Sequence, residues 1–259
     1  MSDADHERGS EAPRRSLPAR LAILGLLAAV AAVFTALGVW QVQRLFWKAD
    51  LIARVDARVS ATPVPLPGPE HWPHIDAADD EYTRVALFGR FLNDKEAHVV
   101  ASTEIGPGYW VLTPLALTDG TAVLVNRGFV TSEKRDPASR VAGQIAGDTT
   151  VTGLLRMSED SSWILRKNDP AADRWYRRAP TEIAQARGLP TTAPFFIDAD
   201  ATPNTGGWPQ GGLTRVQFSN NHLVYVVTWF ALALLAVGAC VYIVRSEFGS
   251  GPPKRREGA

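Results

Sequence analysis

Residues 220–244 read NNHLVYVVTWFALALLAVGACVYIV, and from Leu223 to Val244 they carry no charge. A helix crossing a hydrocarbon core needs about 20 such residues, whereas a helix on a soluble core keeps a polar face. This stretch therefore reads as a membrane span with a histidine, His222, at its mouth. A second stretch of the same kind lies upstream, LAILGLLAAVAAVFTALGVW at 21–40.

Between the spans lies a long, ordinary sequence. The whole chain has 259 residues, 46% hydrophobic, with a mean hydropathy of −0.07, as expected of a polar domain to which two apolar segments are attached. Its 27 basic and 27 acidic residues cancel, so the basic excess that a nucleic-acid binder needs is missing. Arg8, Arg14, Arg15 and Arg20 precede the first span; Arg245, Lys254, Arg255 and Arg256 follow the second. The positive-inside rule then puts both termini in the cytoplasm and the middle of the chain outside. The basic residues ahead of the first span also suit a signal peptide. The apolar run outlasts a usual signal core, shows no clear small-x-small cleavage site at its end and continues as helix-like text, so an uncleaved anchor is expected.

The one cysteine, Cys240, falls inside the second span. The outer domain is thus left without a disulfide, a cysteine zinc site or a thiol nucleophile. It is strand-like: the runs from Tyr82, Ala97, Tyr109, Thr121 and Thr149 are rich in valine, leucine and aromatics and are separated by Gly, Asp, Asn and Pro. Asp119-Gly120 predicts a tight hairpin. TEIAQARGL from Thr181 predicts a short helix capped by the Thr181 hydroxyl and closed at Gly188, and PFFIDAD from Pro194 predicts one more strand. The proline-rich segment 61–81 reads as a linker, and its His71 and His74 as solvated loop residues. The expected fold is an α+β membrane protein in which two transmembrane helices flank a β-rich extracytoplasmic domain, an antiparallel sheet or small open barrel with one short helix. The parts are a cytoplasmic tail at 1–20, helices at 21–40 and 222–244, the outer domain at 41–221 and a cytoplasmic tail at 245–259.

Catalytic signatures are missing from the text: no G-x-S-x-G, H-E-x-x-H, G-x-x-x-x-G-K or G-x-G-x-x-G. The chain is expected not to be an enzyme, and Asp79, Asp80 and Glu81 read as a solvated run. Attention falls instead on His222, Tyr225 and Trp229, which share one side of a helix. Polar groups at membrane depth are functional candidates, and a neutral imidazole is a usual axial ligand of haem iron. The plain alternative is an interfacial histidine bonded to a headgroup or a loop carbonyl, beside the usual Tyr and Trp belt. Arg44 and Lys48, just past the first span, lie near the level of His222 and could pair haem propionates if the spans form a hairpin. Gly25, Ala29, Ala32 and Ala36 on the first span, with Ala231, Gly238 and Ala239 on the second, offer small-residue packing. Arg127, within LVNRGFV, reads most simply as a water-exposed arginine at a strand end, with a partner contact as the functional alternative; Asn126 and Gly128 read as a turn or bulge.

Three separated pieces carry a family likeness: LGVWQVQRLFWKADLI from Leu37, VLVNRGFV from Val123 and NNHLVYVVTWF from Asn220. With them the sequence resembles the Surfeit locus protein 1 family of cytochrome c oxidase assembly factors, over nearly everything from Leu21 to Val244. One departure is visible: members often have proline soon after the aromatic that follows NRG, and here Phe129 is followed by Val130 and Thr131. The resemblance implies a factor in the bacterial plasma membrane that serves an aa3-type haem-copper oxidase. It would bind haem a transiently and aid its insertion into subunit I, in company with other assembly factors. It further implies His222 as the haem-associated residue, with Tyr225, Trp229, Arg44 and Lys48 as its surroundings and Arg127 as a partner contact. The competing implication is a structural partner that stabilises an oxidase intermediate without touching haem. An outer-face hydrolase stands lowest, since no nucleophile and base are paired in the text.

Overall fold

The computed structural model describes residues 16–159, 166–214 and 220–248. Arg8, Arg14, Arg15, Lys254, Arg255 and Arg256 lie outside the described residues. The chain forms two compact units, one of residues 1–51 with 218–259 and one of residues 52–217.

In the first unit, helix α1 (Leu17–Ser60) and helix α3 (His222–Phe248) are both long and apolar enough to cross a membrane. Helix α1 runs 44 residues, well past the apolar stretch, as the helix-like text after Trp40 predicts. Trp40, Phe46 and Trp47 are exposed on it.

The second unit is a barrel built from β1 (Val64–Pro65), β2 (Arg84–Phe91), β3 (Ala97–Thr103), β4 (Gly106–Leu117), β5 (Ala122–Thr131), β6 (Asp148–Arg156) and β7 (Thr192–Ala199). Neighbours run β1-β2-β6-β7-β5-β4-β3, and β2 also pairs with β4. That last pairing, Gly89 to Leu117 through Phe91 to Leu115, closes β2, β6, β7, β5 and β4 into a ring. Closure removes the exposed strand edges that an open sheet would present. The strands expected from the text are all present. The sheet is mixed, because β5 and β7 run parallel.

Strand β5 is buried along almost its whole length, because it separates two apolar clusters. Val123 and Val125 join Phe195, Ile197 and Leu155 in one; Leu124 joins Phe196, Trp175 and Ile183 in the other. Alternate residues thus face alternate clusters, and a strand covered on both sides reads as a continuous apolar run. Helix α2 (Pro180–Ala186) contributes Ile183 to the second cluster. Its first turn is set by Pro180 at the first helical position and not by Thr181; Gly188, at φ 58°, ends it as expected.

Two local expectations are corrected. The segment 61–81 is more than a linker: β1 pairs with β2, and Trp72 is buried against Phe195 at a ring separation of 5.9 Å, its indole N–H donating to the Pro67 carbonyl at 2.9 Å. An indole brings a large apolar area and one donor, and both are accommodated here. The β4–β5 connection is a three-residue loop, with Leu117 and Thr121 bonded across it and Gly120 at φ 86°, the position that favours glycine.

The ring closes where Gly89 passes the β4 backbone; a Cβ there would lie 2.2 Å from the Ala116 carbonyl oxygen. Gly89→Ala should therefore destabilise the barrel by about 1–3 kcal/mol through overpacking, read as a fall in the thermal unfolding midpoint of the full chain in detergent. An unchanged midpoint would mean that the β2–β4 seam does not hold the barrel shut.

Candidate functional site

Helices α1 and α3 pack side by side along alternating three- and four-residue steps. On α3 the covered positions include His222, Val226, Trp229, Ala233, Ala236 and Cys240; on α1 they include Ala31, Phe34, Gly38, Gln41 and Lys48. This heptad spacing is that of helices packed nearly in line. Phe34 stacks on Trp229 with ring centres 5.6 Å apart. At Gly38 the Phe230 ring fills the room a side chain would need, 2.9 Å from an ideal Cβ. The small residues at the seam are thus Ala31 and Gly38 against Ala233 and Ala236. The predicted set lies elsewhere: Ala29, Ala32 and Ala36 are exposed and Gly25 has nothing within 4 Å. An alanine-rich helix offers small-x-x-x-small spacing in several phases, and only the partner helix selects one.

A polar pair stands near each end of the seam. Near the first end, the Arg20 guanidinium meets the Glu247 carboxylate at 2.5 Å and donates to the Glu247 carbonyl at 3.2 Å. At the other, His222 Nδ1 lies 2.7 Å from Gln41 Oε1. Along α1 these pairs are about 31 Å apart at 1.5 Å per residue, close to the thickness of a hydrocarbon core. His222 therefore sits at the level of an interface, half covered, with Gln41 buried beside it at 8% exposure.

The amide oxygen of Gln41 can only accept, so Nδ1 of His222 is the donor and Nε2 of the neutral ring keeps its lone pair. That is the arrangement in which a second residue orients a histidine for a metal. The donor set thus fits axial ligation by His222. Trp229 belongs to the same seam. Tyr225 does not: the seam steps from 222 to 226, leaving Tyr225 turned outward and 53% exposed. Arg44 lies off the seam, its guanidinium 3.8 Å above the Trp47 ring. Lys48 is in line with the seam but one heptad and about 10 Å beyond Gln41, past the start of α3. Among the described residues neither cation bonds to His222; Gln41 does. Sequence reasoning missed Gln41, although its place one heptad before Lys48 and one turn before Arg44 marked it as a polar residue in line with an apolar stripe.

The NRG piece does a different job. Between Trp110 and Leu112 the β4–β5 register slips, placing an extra residue on β5 at Arg127-Gly128. This is the predicted bulge. Gly128 takes φ 129°, and a Cβ there would lie 2.1 Å from the Gln210 carbonyl oxygen, so glycine is required twice over. Asn126 donates to Asp198 at 2.7 Å in the interior, where Asp198 also receives Arg156 at 3.0 Å and Arg178 at 3.2 Å. Arg127 is not a water-exposed strand end. It is 2% exposed and donates to the Gly143 carbonyl at 2.5 Å and the Asn204 side-chain oxygen at 3.2 Å, reaching Asn93 at 3.4 Å. The bulge turns it inward, which alternation along the strand could not reveal. Burial, only partly offset by the Glu96 charge nearby, lowers its pKa to about 10.

Among the described residues no three His, Cys, Asp or Glu side chains form a metal cluster. His71 is exposed beside Glu70 at 3.0 Å. Of the acidic run, Glu81 is engaged by Arg156 at 3.2 Å.

Two carboxylates, the buried Glu96 and the half-buried Glu159, tie the barrel to pH. For Glu159, burial raises the pKa, but the hydrogen bond and charge of Arg178 outweigh it and the net shift is down. For Glu96, burial likewise raises it, and His98 and Arg140 together bring it below the ordinary value. Groups depressed in the folded state contribute stability above their unfolded pKa, about 4.3, and lose it as pH falls through the folded value. The unfolding midpoint should thus drop progressively below about pH 5, and the Glu96→Gln, Glu159→Gln double variant should start lower and show a flatter acid limb. An equally steep limb in that variant would place the acid sensitivity elsewhere.

The chain matches the SURF1 family over residues 28–234. It is 37% identical over 212 residues to Surfeit locus protein 1 of Rattus norvegicus, an alignment covering 76% of this chain and 67% of that protein. Against Surfeit locus protein 1 of Homo sapiens the identity is 36% over 234 residues, covering 84% and 74%. Against a SURF1-like protein of Monosiga brevicollis it is 34% over 248 residues, covering 88% and 92%. The family match runs from within α1, through the whole barrel, to the middle of α3, taking in Gln41, the NRG bulge and His222, and the chain belongs to the SURF1 family.

Proposed function

We propose that this protein is a non-catalytic assembly factor of an aa3-type haem-copper oxidase, holding haem a at His222 and aiding its insertion into subunit I. The observation that carries the reading is the His222–Gln41 pair at 2.7 Å. A glutamine buried in a helix seam solely to orient an imidazole is costly in an apolar setting, and the bond leaves Nε2 as the free ligand atom. The likeness to oxidase assembly factors supports the choice of haem a over another metal group.

Haem a, when bound, would supply an iron for which His222 Nε2 would be the protein ligand. Gln41 holds the ring and its tautomer. Trp229, packed on Phe34, fixes the turn of α3 that carries His222. Arg44 and Lys48 are the cations available for propionates on the α1 side. Tyr225 offers an exposed aromatic face on the flank of His222. The basic flanks support a plasma-membrane protein with both termini in the cytoplasm and the barrel outside. The partners are then subunit I, other assembly factors and the surrounding lipid.

The test is purification of the full chain in mild detergent from a host that makes haem A, with reduced-minus-oxidised spectra and haem stoichiometry. Wild type should carry haem a, and His222→Ala should lose it. Gln41→Leu should bind about 10–100-fold more weakly, the usual cost of losing such an orienting residue. If folded wild type and His222→Ala both lack haem while oxidase still fails to assemble without the chain, the protein acts as a structural partner through protein contacts.

A further inference from the structure

Three arginines of the barrel, Arg140, Arg156 and Arg178, each meet a carboxylate. Arg140 pairs with Glu96, and Arg156 and Arg178 share Asp198. Arg127 differs. Its acceptors are a carbonyl and two side-chain amides, all neutral, and its guanidinium lies 4.5 Å over the Phe91 ring. The carboxylate whose charge it feels, Glu96, is already taken by Arg140 and His98. A cation withdrawn from water without a counterion is costly, and the depressed pKa of Arg127 reflects that cost.

Arg127 also lines a cavity of about 150 Å³ at one side of the barrel. Its wall is half apolar, from Phe91, Ile145 and Val151, and half hydroxylic, from Thr149 and Thr150. One acid reaches it, Asp200, and that carboxylate is engaged: it accepts from the Thr202 backbone at 3.0 Å and the Thr202 hydroxyl at 2.6 Å, and faces Arg84 at 3.5 Å. Among the described residues the hydrogen bonds of Arg127 run from Nη1 and Nη2, which leaves Nε–H as the donor for an incoming anion.

We infer that this cavity is a binding subsite for a short aliphatic carboxylate, whose anionic head takes the free donor of Arg127 and whose carbon chain lies against Phe91, Ile145 and Val151. Size and charge select this class. The volume is well below the roughly 300–1,000 Å³ of sites for larger ligands. A single guanidinium neutralises one carboxylate, whereas a phosphate dianion would leave a negative charge beside apolar walls. The inference is independent of haem binding at His222.

The test is a titration of the isotope-labelled full-length protein in detergent with sodium propionate, following the Arg127 Nε–H signal by NMR, with propionamide and inorganic phosphate as comparison probes. Propionate should shift the signal saturably, while propionamide, which has the same chain without the charge, should not. Thr150→Phe places a ring at the exposed side of the cavity and leaves Arg127 and the core in place; it should weaken propionate binding by at least about tenfold. Arg127→Gln should abolish binding, and where that variant does not fold, Thr150→Phe carries the comparison. No saturable shift with propionate, an equal response to propionamide, tighter binding of phosphate than of propionate, or full binding in Thr150→Phe would each overturn the proposal.

Discussion

A polar side chain withdrawn from water must be given a partner, and both units of this protein are arranged around that requirement. In the helix pair, Gln41 is placed in a seam that is apolar for most of its length, and His222 is what satisfies it. In the barrel, Asp198 is buried at the crossing of three strands and is satisfied by Asn126, Arg156 and Arg178 together. Neither pairing is possible in another register. Sliding α3 by one turn would leave Gln41 unpaired, and slipping β5 by one residue would turn Asn126 away from β7. Polar pairs of this kind add little net stability against apolar replacements, but they penalise the alternatives.

The same logic separates the two conspicuous sequence pieces by role. NRG is architectural: Asn126 locks to β7, Arg127 gathers the backbone or side chains of three segments, and Gly128 admits the Gln210 backbone at a distance no side chain would allow. Loss of any of the three would be felt throughout the barrel. The N-x-H piece is different: among the described residues His222 bonds to Gln41 across the helix seam.

Much of the fold was legible in the text because it follows from periodicity. Uncharged runs at 21–40 and 223–244 read as spans by length and composition, and the strand runs survived almost to the residue, as with Ala97–Thr103. His222 could be singled out by its place at the mouth of a span. What could not be read was phase and closure. Tyr225 belongs with His222 on a helical wheel, yet the seam passes through Val226 instead. Ala29, Ala32 and Ala36 make as good a packing stripe on paper as Ala31 and Gly38, and only the Phe230 ring distinguishes them. Trp72 sat in proline-rich text with every mark of a linker, because the acceptor of its indole and the ring it packs on come from elsewhere in the fold.

Composition and local pattern by themselves determined that two helices are long and apolar enough to span a membrane, that the domain between them is β-rich, and that it has no cysteine for a disulfide. These depend on properties each residue carries alone: transfer cost, backbone preference and spacing along the chain. Tertiary structure alone decided that the sheet closes through Gly89 and β4, that Arg127 points inward from a bulge onto a cavity, and that Gln41 is the group that meets His222. Those depend on which segments distant in the chain come within a few ångströms of each other, and short-range hydrogen bonds and contacts of that kind leave no periodic trace in the sequence.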